Sequence, residues 1–347
     1  MALPATMDVA TYYRNDDVRI ERMPLPHIGP GEMLLQVRAS GICGSDVMEW
    51  YRAPKAPLVL GHEVSGTVDA IGAGVEHFAV GDRVMATHHV PCLRCHHCLR
   101  GHQSVCDELR TTTFEPGGFA QYIRLPAANV ERGTLALPPQ VDFDSATFIE
   151  PLGCVVRGLR LARWAVGDSV LVMGSGITGL LNLLALHAQG AGTVVLTDLV
   201  DYRLRMARSL GATAAVRADG DVAAALRSAN EGRLADLVIV CTGAPRALEG
   251  ALDLVERGGT ILYFAPAEPA YRLSLPFTRL WKDEVNLTTS YAASPGDLRI
   301  ALALLANGRV DVRQMITHRL PLQQAAQGFS LVAAASESMK VILHPSG

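Results

Sequence analysis

The chain has 347 residues, of which 49% are hydrophobic, and a formal net charge of −3. This length exceeds one ordinary hydrophobic core and predicts about two domains. The small net charge argues against a nucleic-acid partner or a protein that docks on an anionic membrane.

No targeting or membrane segment is evident in the sequence. Residues 1–17 do not combine a basic stretch with a following apolar run, as a secretory signal peptide would. Residues 170–188 carry no charge over nearly the length of a membrane span. Glycines interrupt this stretch, however, and a charged strand–helix pattern follows it. We therefore expect a cytoplasmic protein without a membrane-spanning helix.

The N-terminal region, residues 1–150, is rich in glycine, proline and short β-branched runs. The runs at 33–39, 63–72 and 82–87 are separated by turn residues. Short strands with turns between them predict an irregular β domain.

Three distant fragments of this region carry metal-ligating residue types: "GICGSD" with Cys43, "GHE" with His62 and Glu63, and "IEPLGC" with Glu150. One thiolate, one imidazole and one or two carboxylates form a mixed donor set that suits a catalytic zinc with an open position. Because the fragments are far apart, their spacing does not establish a site. Taken singly, Cys43 is typical of a buried small apolar residue, and His62 of a satisfied core histidine. Glu150, which precedes a proline, is compatible with the end of a loop.

Residues 91–106, "PCLRCHHCLRGHQSVC", hold four of the seven cysteines with the spacing C-x2-C-x2-C-x7-C: Cys92, Cys95, Cys98 and Cys106. A reducing compartment disfavours a disulfide knot, whereas four thiolates around one ion form the closed tetrahedral site of structural zinc. The alternatives are free cysteines in a loop or a zinc finger that reads DNA. The flanks are not strongly basic and no recognition helix follows. We predict a structural zinc in a lobe of about residues 88–110.

From about residue 152 the sequence alternates between short apolar runs and helical periodicity. Strands are predicted at 169–174, 193–198, 214–216, 235–243 and 259–265, and helices at 177–190, 201–212, 221–230 and 246–256. This alternation predicts a parallel sheet with helices on both faces. After about residue 294 the sequence predicts a helix at 297–309 and a final strand at 339–344.

The segment "GSGITG" matches G-x-G-x-x-G between the first strand and the first helix of this α/β region. In that setting Gly174 permits the turn, Gly176 lets the backbone approach a pyrophosphate, and Gly179 lets helix and strand pack closely. Ile177 and Thr178 open the helix, whose N-terminal N–H groups can bind the anion. The alternative is a glycine turn without a ligand.

Asp198 ends the next predicted strand, where a carboxylate can accept both ribose hydroxyls and would repel a 2′-phosphate. The sequence therefore favours NAD over NADP. Arg203 and Arg205 temper this preference, because a guanidinium can hold a phosphate. Arg203 and Thr242 are further candidates for cofactor binding.

The fragments "GICGSD…GHE", the four-cysteine lobe, "EPL" and "GSGITG" occur in the same order as in zinc-dependent medium-chain alcohol dehydrogenases. Over nearly its whole length the chain resembles their polyol (sorbitol) and threonine dehydrogenase branch. The resemblance implies a GroES-like β-barrel catalytic domain from 1–150 and 294–347, and a Rossmann NAD-binding domain from 151–293. It also implies a homo-oligomer, either a tetramer or a dimer.

The resemblance assigns roles to the residues of the mixed donor set. Cys43 and His62 would bind the catalytic zinc, and Glu63 and Glu150 would sit on the same metal, directly or through water. Ser45 would receive the proton of the substrate. Together with the lobe, this implies two zinc ions per chain, with NAD as the cofactor.

One position departs from the family pattern. Several relatives carry a histidine that passes the proton to solvent where this chain has Met48, which cannot carry a proton. Glu49 is adjacent, and a water held by Glu63 or Glu150 is a second route.

The predicted reaction is the oxidation of a secondary alcohol to a ketone, or the reverse reduction, with zinc as Lewis acid and the nicotinamide as hydride acceptor. Trp50, Tyr51 and Phe119 are candidates for the pocket wall. Glu49 and Arg52 next to the aromatic pair favour a polyol, cyclitol or amino-polyol, and no paired site for the ammonium and carboxylate of threonine is apparent.

Two other functions stay open at this stage. A zinc-free quinone reductase of the same superfamily would lack the ligands Cys43, His62 and Glu150. A non-catalytic NAD-binding protein would hold only the lobe zinc. The segment 263–277 could line the cofactor site or reach a neighbouring subunit.

Overall fold

The structure is a computed structural model that describes residues 3–346, and it divides into two compact units. The first unit runs through Glu150 and resumes at Ser294, and the second covers Pro151–Ala293. None of the helices in residues 3–346 combines the length and the apolar character needed to cross a bilayer.

The strands alternate with loops in the first unit and with helices in the second. In chain order they are β1 (Thr6–Arg14), β2 (Asp17–Pro24), β3 (Met33–Gly41), β4 (Leu58–Val59), β5 (Glu63–Ile71), β6 (Arg83–Ala86), β7 (Tyr122–Leu125), β8 (Thr134–Ala136), β9 (Val170–Met173), β10 (Val194–Asp198), β11 (Ala214–Arg217), β12 (Ala235–Val240), β13 (Val255–Tyr263), β14 (Asn286–Thr289), β15 (Ile316–Pro321) and β16 (Lys340–His344).

The helices are short in the first half of the chain and longer in the second. They are α1 (Glu49–Arg52), α2 (His96–Leu99), α3 (Asp107–Thr111), α4 (Ala127–Gly133), α5 (Phe143–Ala146), α6 (Ile149–Ala162), α7 (Ile177–Gln189), α8 (Asp201–Ser209), α9 (Val222–Ala229), α10 (Pro245–Gly250), α11 (Phe277–Lys282), α12 (Pro295–Ala306) and α13 (Ala325–Ala334).

The first unit is built on an irregular β-sheet in which the strands follow the order β15-β16-β3-β5-β6-β8, with β7 also paired to β3. Strands β3 and β5 are antiparallel, and their register places Gly41 opposite Glu63. On one face, Leu35, Val37 and Val64 are fully buried in a shared apolar core. Because side chains alternate across a strand, this buried face fixes the register.

The second unit contains a parallel six-stranded sheet with the order β11-β10-β9-β12-β13-β14. All four residues of β9 are buried, as expected for a strand covered by helices on both faces. The carboxyl ends of β9 and β12 flank the point at which the strand order reverses, where a doubly wound sheet binds its ligand.

One predicted helix is wrong over its second half. The predicted segment 246–256 forms α10 only as far as Gly250, and a 3₁₀ turn then covers Ala251–Asp253. Val255 is already part of β13, where it pairs with Ala235 of β12. The apolar residues of this segment fit both the helical and the strand period. Parallel pairing with β12 extends β13 into the segment.

The four cysteines of the predicted lobe converge within the first unit. Their sulfur atoms lie within 4.8 Å of one another: Cys92, Cys95, Cys98 and Cys106. The tight turns between them direct backbone N–H groups to the sulfurs, with Cys95 donating to Cys92 Sγ (3.3 Å) and Cys92 to Cys106 Sγ (3.4 Å). The histidines interspersed among them, at positions 96, 97 and 102, are exposed.

The surroundings of Cys92 in the lobe favour its thiolate form. Backbone N–H groups, chiefly that of Arg94, lower the pKa of Cys92 to about 6. Burial raises the pKa of the inner Cys98 to about 12. Such a set becomes fully ionised when a divalent cation provides the compensating charge.

We expect Cys106→Ser to remove one of two zinc ions per chain and to lower the Tm by about 5 °C or more, because a structural zinc contributes folding free energy directly. Elemental analysis and calorimetry measure the two effects. Cys154→Ser, outside both groups of candidate ligands, is the control and should keep two zinc ions. Two zinc ions retained in Cys106→Ser would contradict the assignment of the lobe.

Candidate metal and nucleotide sites

A second group of metal-ligating side chains lies where β3 ends and β5 begins. One donor atom each from Cys43, His62 and Glu63 lies within 4.8 Å of the other two. His62 and Glu63 are buried, and Cys43 is half-buried. Residues from two distant fragments of the sequence thus form one three-residue group.

The turn after β3 is held by a reciprocal capping arrangement. Cys43 precedes a 3₁₀ helix at Gly44–Val47, and its sulfur accepts a hydrogen bond from the Ser45 N–H (3.5 Å). In return, the Cys43 N–H donates to the carboxylate of Asp46 (3.0 Å). These two bonds fix the direction of the thiol.

The buried Asp46 also orients the histidine of the group. His62 Nδ1 lies 3.4 Å from Asp46 Oδ1, which leaves Nε2 available for a metal. Burial raises the pKa of Asp46, but its interactions with His62, Arg52 and the Cys43 N–H outweigh burial and lower the pKa. Asp46 is therefore a carboxylate that can hold the imidazole in one tautomer.

Glu63 completes the group and also forms an ion pair with the ammonium of Lys340 on β16. Both side chains are almost completely buried. The other carboxylate oxygen, Glu63 Oε1, is buried and has no hydrogen-bond partner within residues 3–346. An unpaired buried oxygen beside a thiol and an imidazole fits a zinc ion, which accepts all three donor types.

Glu150 is not part of the three-residue group. It is buried in the first turn of α6, at the end of the first unit. The structure thus places the expected fourth donor in the same unit but not within 4.8 Å of the other three donor atoms.

The hydroxyl of Ser45 lies next to a guanidinium. Arg52 Nη2 donates to Ser45 Oγ (3.2 Å), and Arg52 Nε donates to the Ser45 carbonyl (2.9 Å). Glu49 turns away from this hydroxyl, because its carboxylate accepts the backbone N–H of Asn15 (3.2 Å). Glu49 is therefore not arranged to replace the histidine that is missing at Met48.

Two histidines that the sequence analysis did not consider extend the site. The ring of His88 lies 5.0 Å from that of His62 and 3.7 Å from that of His89. Burial lowers the pKa of His88 well below its usual value and that of His89 to about 4. Both rings are therefore neutral at pH 7, and His88 Nδ1 is buried without a hydrogen-bond partner among the described residues.

The three aromatic candidates differ in their surroundings. Phe119 is fully buried and packs against Phe329, so it belongs to the core. Trp50 is 39% exposed and contacts Tyr51, whose ring also lies under the Arg52 guanidinium (4.6 Å). Of the three aromatic candidates, Trp50 and Tyr51 lie on helix α1 together with Arg52.

The glycine-rich turn of the second unit has the backbone that a nucleotide site requires. Gly174 has a φ of +103°, which a side chain disfavours. A Cβ on Gly179 would collide with the Gly174 carbonyl, so this position admits only glycine. Helix α7 begins at Ile177, directly after Gly176, with Thr178 in its first turn. The free N–H groups of this helix end can bind an anion.

Asp198 lies at the end of β10 with both carboxylate oxygens fixed by the backbone. It accepts hydrogen bonds from the N–H of Ser175 (2.8 Å) and of Val200 (2.9 Å). Arg203 Nη1 lies 3.8 Å from the same carboxylate. Thr242 follows β12, and its hydroxyl accepts the N–H of Ala244 (3.3 Å).

Sequence reasoning missed three side chains that shape the metal group: Asp46, His88 and Lys340. A signal existed for two of them. Asp46 stands within the quoted "GICGSD", and Lys340 is the one charged residue of the apolar run "MKVILH". His88 carries no local signal, because only the fold brings it to His62.

Comparison with protein families matches both units. Residues 29–139 match the model of the alcohol dehydrogenase GroES-like domain, and residues 178–307 match the model of the zinc-binding dehydrogenases. These matches confirm the predicted fold class, a GroES-like domain together with a Rossmann-type α/β domain.

Individual proteins agree with the family models. The chain is 31% identical to the sorbitol dehydrogenase of Gallus gallus, over 95% of this chain and 94% of that protein. A zinc-binding dehydrogenase of Sinorhizobium meliloti 1021 solved with NADP superposes with a TM-score of 0.88 and 27% identity, covering 99% of this chain and all of the other. An alcohol dehydrogenase of Escherichia coli CFT073 complexed with NADH gives a TM-score of 0.88 and 26% identity, covering 99% of this chain and all of the other. The chain belongs to the zinc-dependent medium-chain alcohol dehydrogenase family, in its polyol dehydrogenase branch, and is an oxidoreductase.

Proposed function

We propose that the protein oxidises a secondary alcohol of the polyol, cyclitol or amino-polyol class to a ketone, or catalyses the reverse reduction, with zinc and NAD. The observation that carries this proposal is the convergence of Cys43, His62 and Glu63 next to Ser45, whose backbone N–H donates to Cys43 Sγ. The similarity to sorbitol dehydrogenase supports the substrate class.

Each residue of the group has a distinct task in this proposal. Cys43 and His62 hold the zinc, Glu63 contributes one carboxylate oxygen, and Glu150 acts on the metal from a greater distance through water. When bound, zinc polarises the alcohol as a Lewis acid and the nicotinamide accepts the hydride.

Ser45 receives the proton of the substrate hydroxyl. Its Oγ accepts a hydrogen bond from Arg52, so the hydroxyl hydrogen is free to point elsewhere and a second lone pair can face the substrate. Since Met48 cannot relay a proton and Glu49 is bound to the β1–β2 turn, the proton leaves through water rather than along side chains at these positions.

The polar groups near the metal residues favour a substrate with several hydroxyls. Arg52, which contacts Ser45, and the neutral His88, whose ring lies 5.0 Å from that of His62, offer hydrogen-bond donors and an acceptor. A simple alcohol would leave the buried Nδ1 of His88 without a hydrogen-bond partner, which costs binding free energy.

Cys43→Ser should reduce kcat/KM for the best polyol by roughly 1,000-fold or more, because a serine hydroxyl is a poor zinc ligand at neutral pH. The assay follows NADH absorbance over a panel of sugar alcohols, cyclitols, amino alcohols and simple secondary alcohols.

Binding of NAD to Cys43→Ser, measured by fluorescence quenching, should be unchanged within about threefold, since the nucleotide residues lie in the other unit. Cys154→Ser again serves as the control with wild-type turnover. Undiminished turnover in Cys43→Ser would overturn the catalytic assignment. The zinc content distinguishes the proposed enzyme from the two alternative functions. A quinone reductase would hold no zinc ion, and a non-catalytic NAD-binding protein would hold only one.

We also propose that NAD is preferred over NADP, on the strength of the backbone-fixed carboxylate of Asp198. The wild type should show at least a tenfold higher kcat/KM with NAD. Asp198→Ala should narrow this ratio by about tenfold, because it removes both the ribose partner and the charge that repels a 2′-phosphate. Asp201→Ala, a solvent-exposed carboxylate nearby, is the control. A wild type that prefers NADP would refute the proposal.

We further propose a homo-oligomer, a tetramer or dimer, assembled in the cytoplasm. Strand β14 lies at the edge of the parallel sheet, and the described residues provide no partner for its outer side. Phe277 and Trp281 of α11 are 78% and 74% exposed, and Leu287 of β14 is also exposed. An apolar patch beside an open strand edge is typical of a subunit interface.

Trp281→Glu should shift the protein toward smaller species, because a buried charge opposes association. Sedimentation velocity measures the change. Val166→Glu, at an equally exposed apolar residue of the same unit, should leave the oligomer intact. A wild-type monomer, or identical profiles for wild type and Trp281→Glu, would contradict this interface.

A further inference from the structure

Two positively charged side chains lie against the ring of Tyr51. The guanidinium carbon of Arg52 lies 4.6 Å from the centre of this ring, and Lys55 Nζ lies 4.1 Å from it. The three residues belong to α1 and to the 3₁₀ turn Ala53–Lys55 that follows it. Because two like charges around one ring repel each other, the arrangement is suited to a third group of opposite charge.

The described part of the chain supplies little of that opposite charge. Within residues 3–346 the Lys55 ammonium forms no ion pair or hydrogen bond, and its side chain is exposed. The Glu49 carboxylate, on the same helix as Arg52, instead accepts the backbone N–H of Asn15 (3.2 Å). The charge of Lys55 therefore has no carboxylate partner among the described residues.

The hydrogen-bond donors of Arg52 are only partly used. Nε donates to the Ser45 carbonyl (2.9 Å), and Nη2 donates to Ser45 Oγ (3.2 Å) and to Asp46 Oδ1 (3.4 Å). A guanidinium has five N–H donors, and those on Nη1 have no partner in the described chain. The side chain is 14% exposed, so it is not closed off from a ligand.

Arg52 also lies next to the candidate reacting groups. Asp46 Oδ1 is 3.4 Å from Arg52 Nη2 and 3.4 Å from His62 Nδ1. The same guanidinium reaches Ser45 Oγ, the proposed acceptor of the substrate proton. A substrate whose reacting hydroxyl contacts Ser45 therefore has its neighbouring carbons close to Arg52.

The chemistry of the two cations favours one kind of substituent on those carbons. A planar guanidinium binds a phosphate or a carboxylate through two parallel hydrogen bonds, and a lysine ammonium attracts either group as a point charge. A neutral hydroxyl would satisfy a donor of Arg52 but would leave the charge of Lys55 without a partner. An amino substituent would be repelled by both side chains.

We propose that Arg52 and Lys55 bind an oxyanion group of the substrate, which is a polyol or cyclitol that carries a phosphate or a carboxylate near the reacting carbon. This inference rests on the proposed function, because it takes the hydroxyl of Ser45 as the position of the reacting alcohol. It narrows the substrate class, since neutral polyols and amino-polyols become poorer substrates than the matching polyol phosphates and sugar acids.

The test compares substrates that share one carbon skeleton, using the zinc-loaded enzyme with NAD. Each set contains a neutral polyol, its phosphate monoester, the corresponding sugar acid and an amino derivative. The kcat/KM of the better oxyanion member should exceed that of the neutral member about tenfold, and added salt should reduce this preference. The phosphate and carboxylate members identify which oxyanion is bound. A neutral or amino member that equals the better oxyanion member would overturn the proposal.

Lys55→Gln removes one of the two charges without touching Ser45. The KM of the oxyanion substrate should rise about fivefold while kcat stays within about twofold, because a charge-assisted contact is lost in binding. The neutral polyol should keep its constants. Arg52→Gln should likewise reduce the preference for the oxyanion, in addition to any loss of turnover that both substrates share. A merely structural role would affect both substrates alike, so an unchanged preference in either variant would contradict the oxyanion site.

The matched control is Arg22→Gln, which removes an exposed positive charge from β2 of the same unit and should leave the preference unchanged. The outcome also separates this inference from the proposed function. A wild type that oxidises no member of any set refutes both. A wild type that oxidises the neutral and the charged members equally well refutes only the oxyanion site.

Discussion

The antiparallel pairing of β3 with β5 is the constraint on which the metal site depends. Its register sets Gly41 opposite Glu63, so the chain leaving β3 and the chain entering β5 lie side by side. Cys43 follows the first strand and His62 precedes the second. A slip of one residue would turn Glu63 to the opposite face of the sheet and remove it from the other donors. The buried apolar face of β3 and β5, with Leu35 and Val64, opposes such a slip.

The sequence patterns that proved informative are local ones. The period of the apolar residues predicts β9, α7 and β10 closely, because each is a regular element whose neighbours cover both faces. The cysteine lobe is equally local, since four sulfurs meet within one short segment. The helix predicted at 246–256 was wrong beyond Gly250, where apolar residues fit both the helical and the strand period and the pairing of Val255 with Ala235 determines the outcome.

The residues that the sequence analysis missed act across the fold. Lys340 reaches Glu63 only because β16 pairs with β3, and His88 reaches His62 only because β6 pairs with β5. No spacing in the sequence encodes these contacts. Strand β15 and helix α13, which contain His318 and Phe329, were likewise not predicted, although β15 forms the edge of the sheet beside β16. Long-range register is a property of the whole sheet, whereas periodicity is a property of a segment.

The two candidate metal groups differ in charge because the donors of one come from a single segment and those of the other come from separate strands. Four thiolates from one segment can surround an ion completely and leave no place for a substrate, which suits a structural role. In the other group, the separate strands contribute one thiolate, one imidazole and a carboxylate that is already paired with Lys340. Lys340 and Glu63 are remote in sequence, and the pairing of β16 and of β5 with β3 brings them together. The distance along the chain that makes this site hard to predict is therefore also what gives it a mixed set of donors.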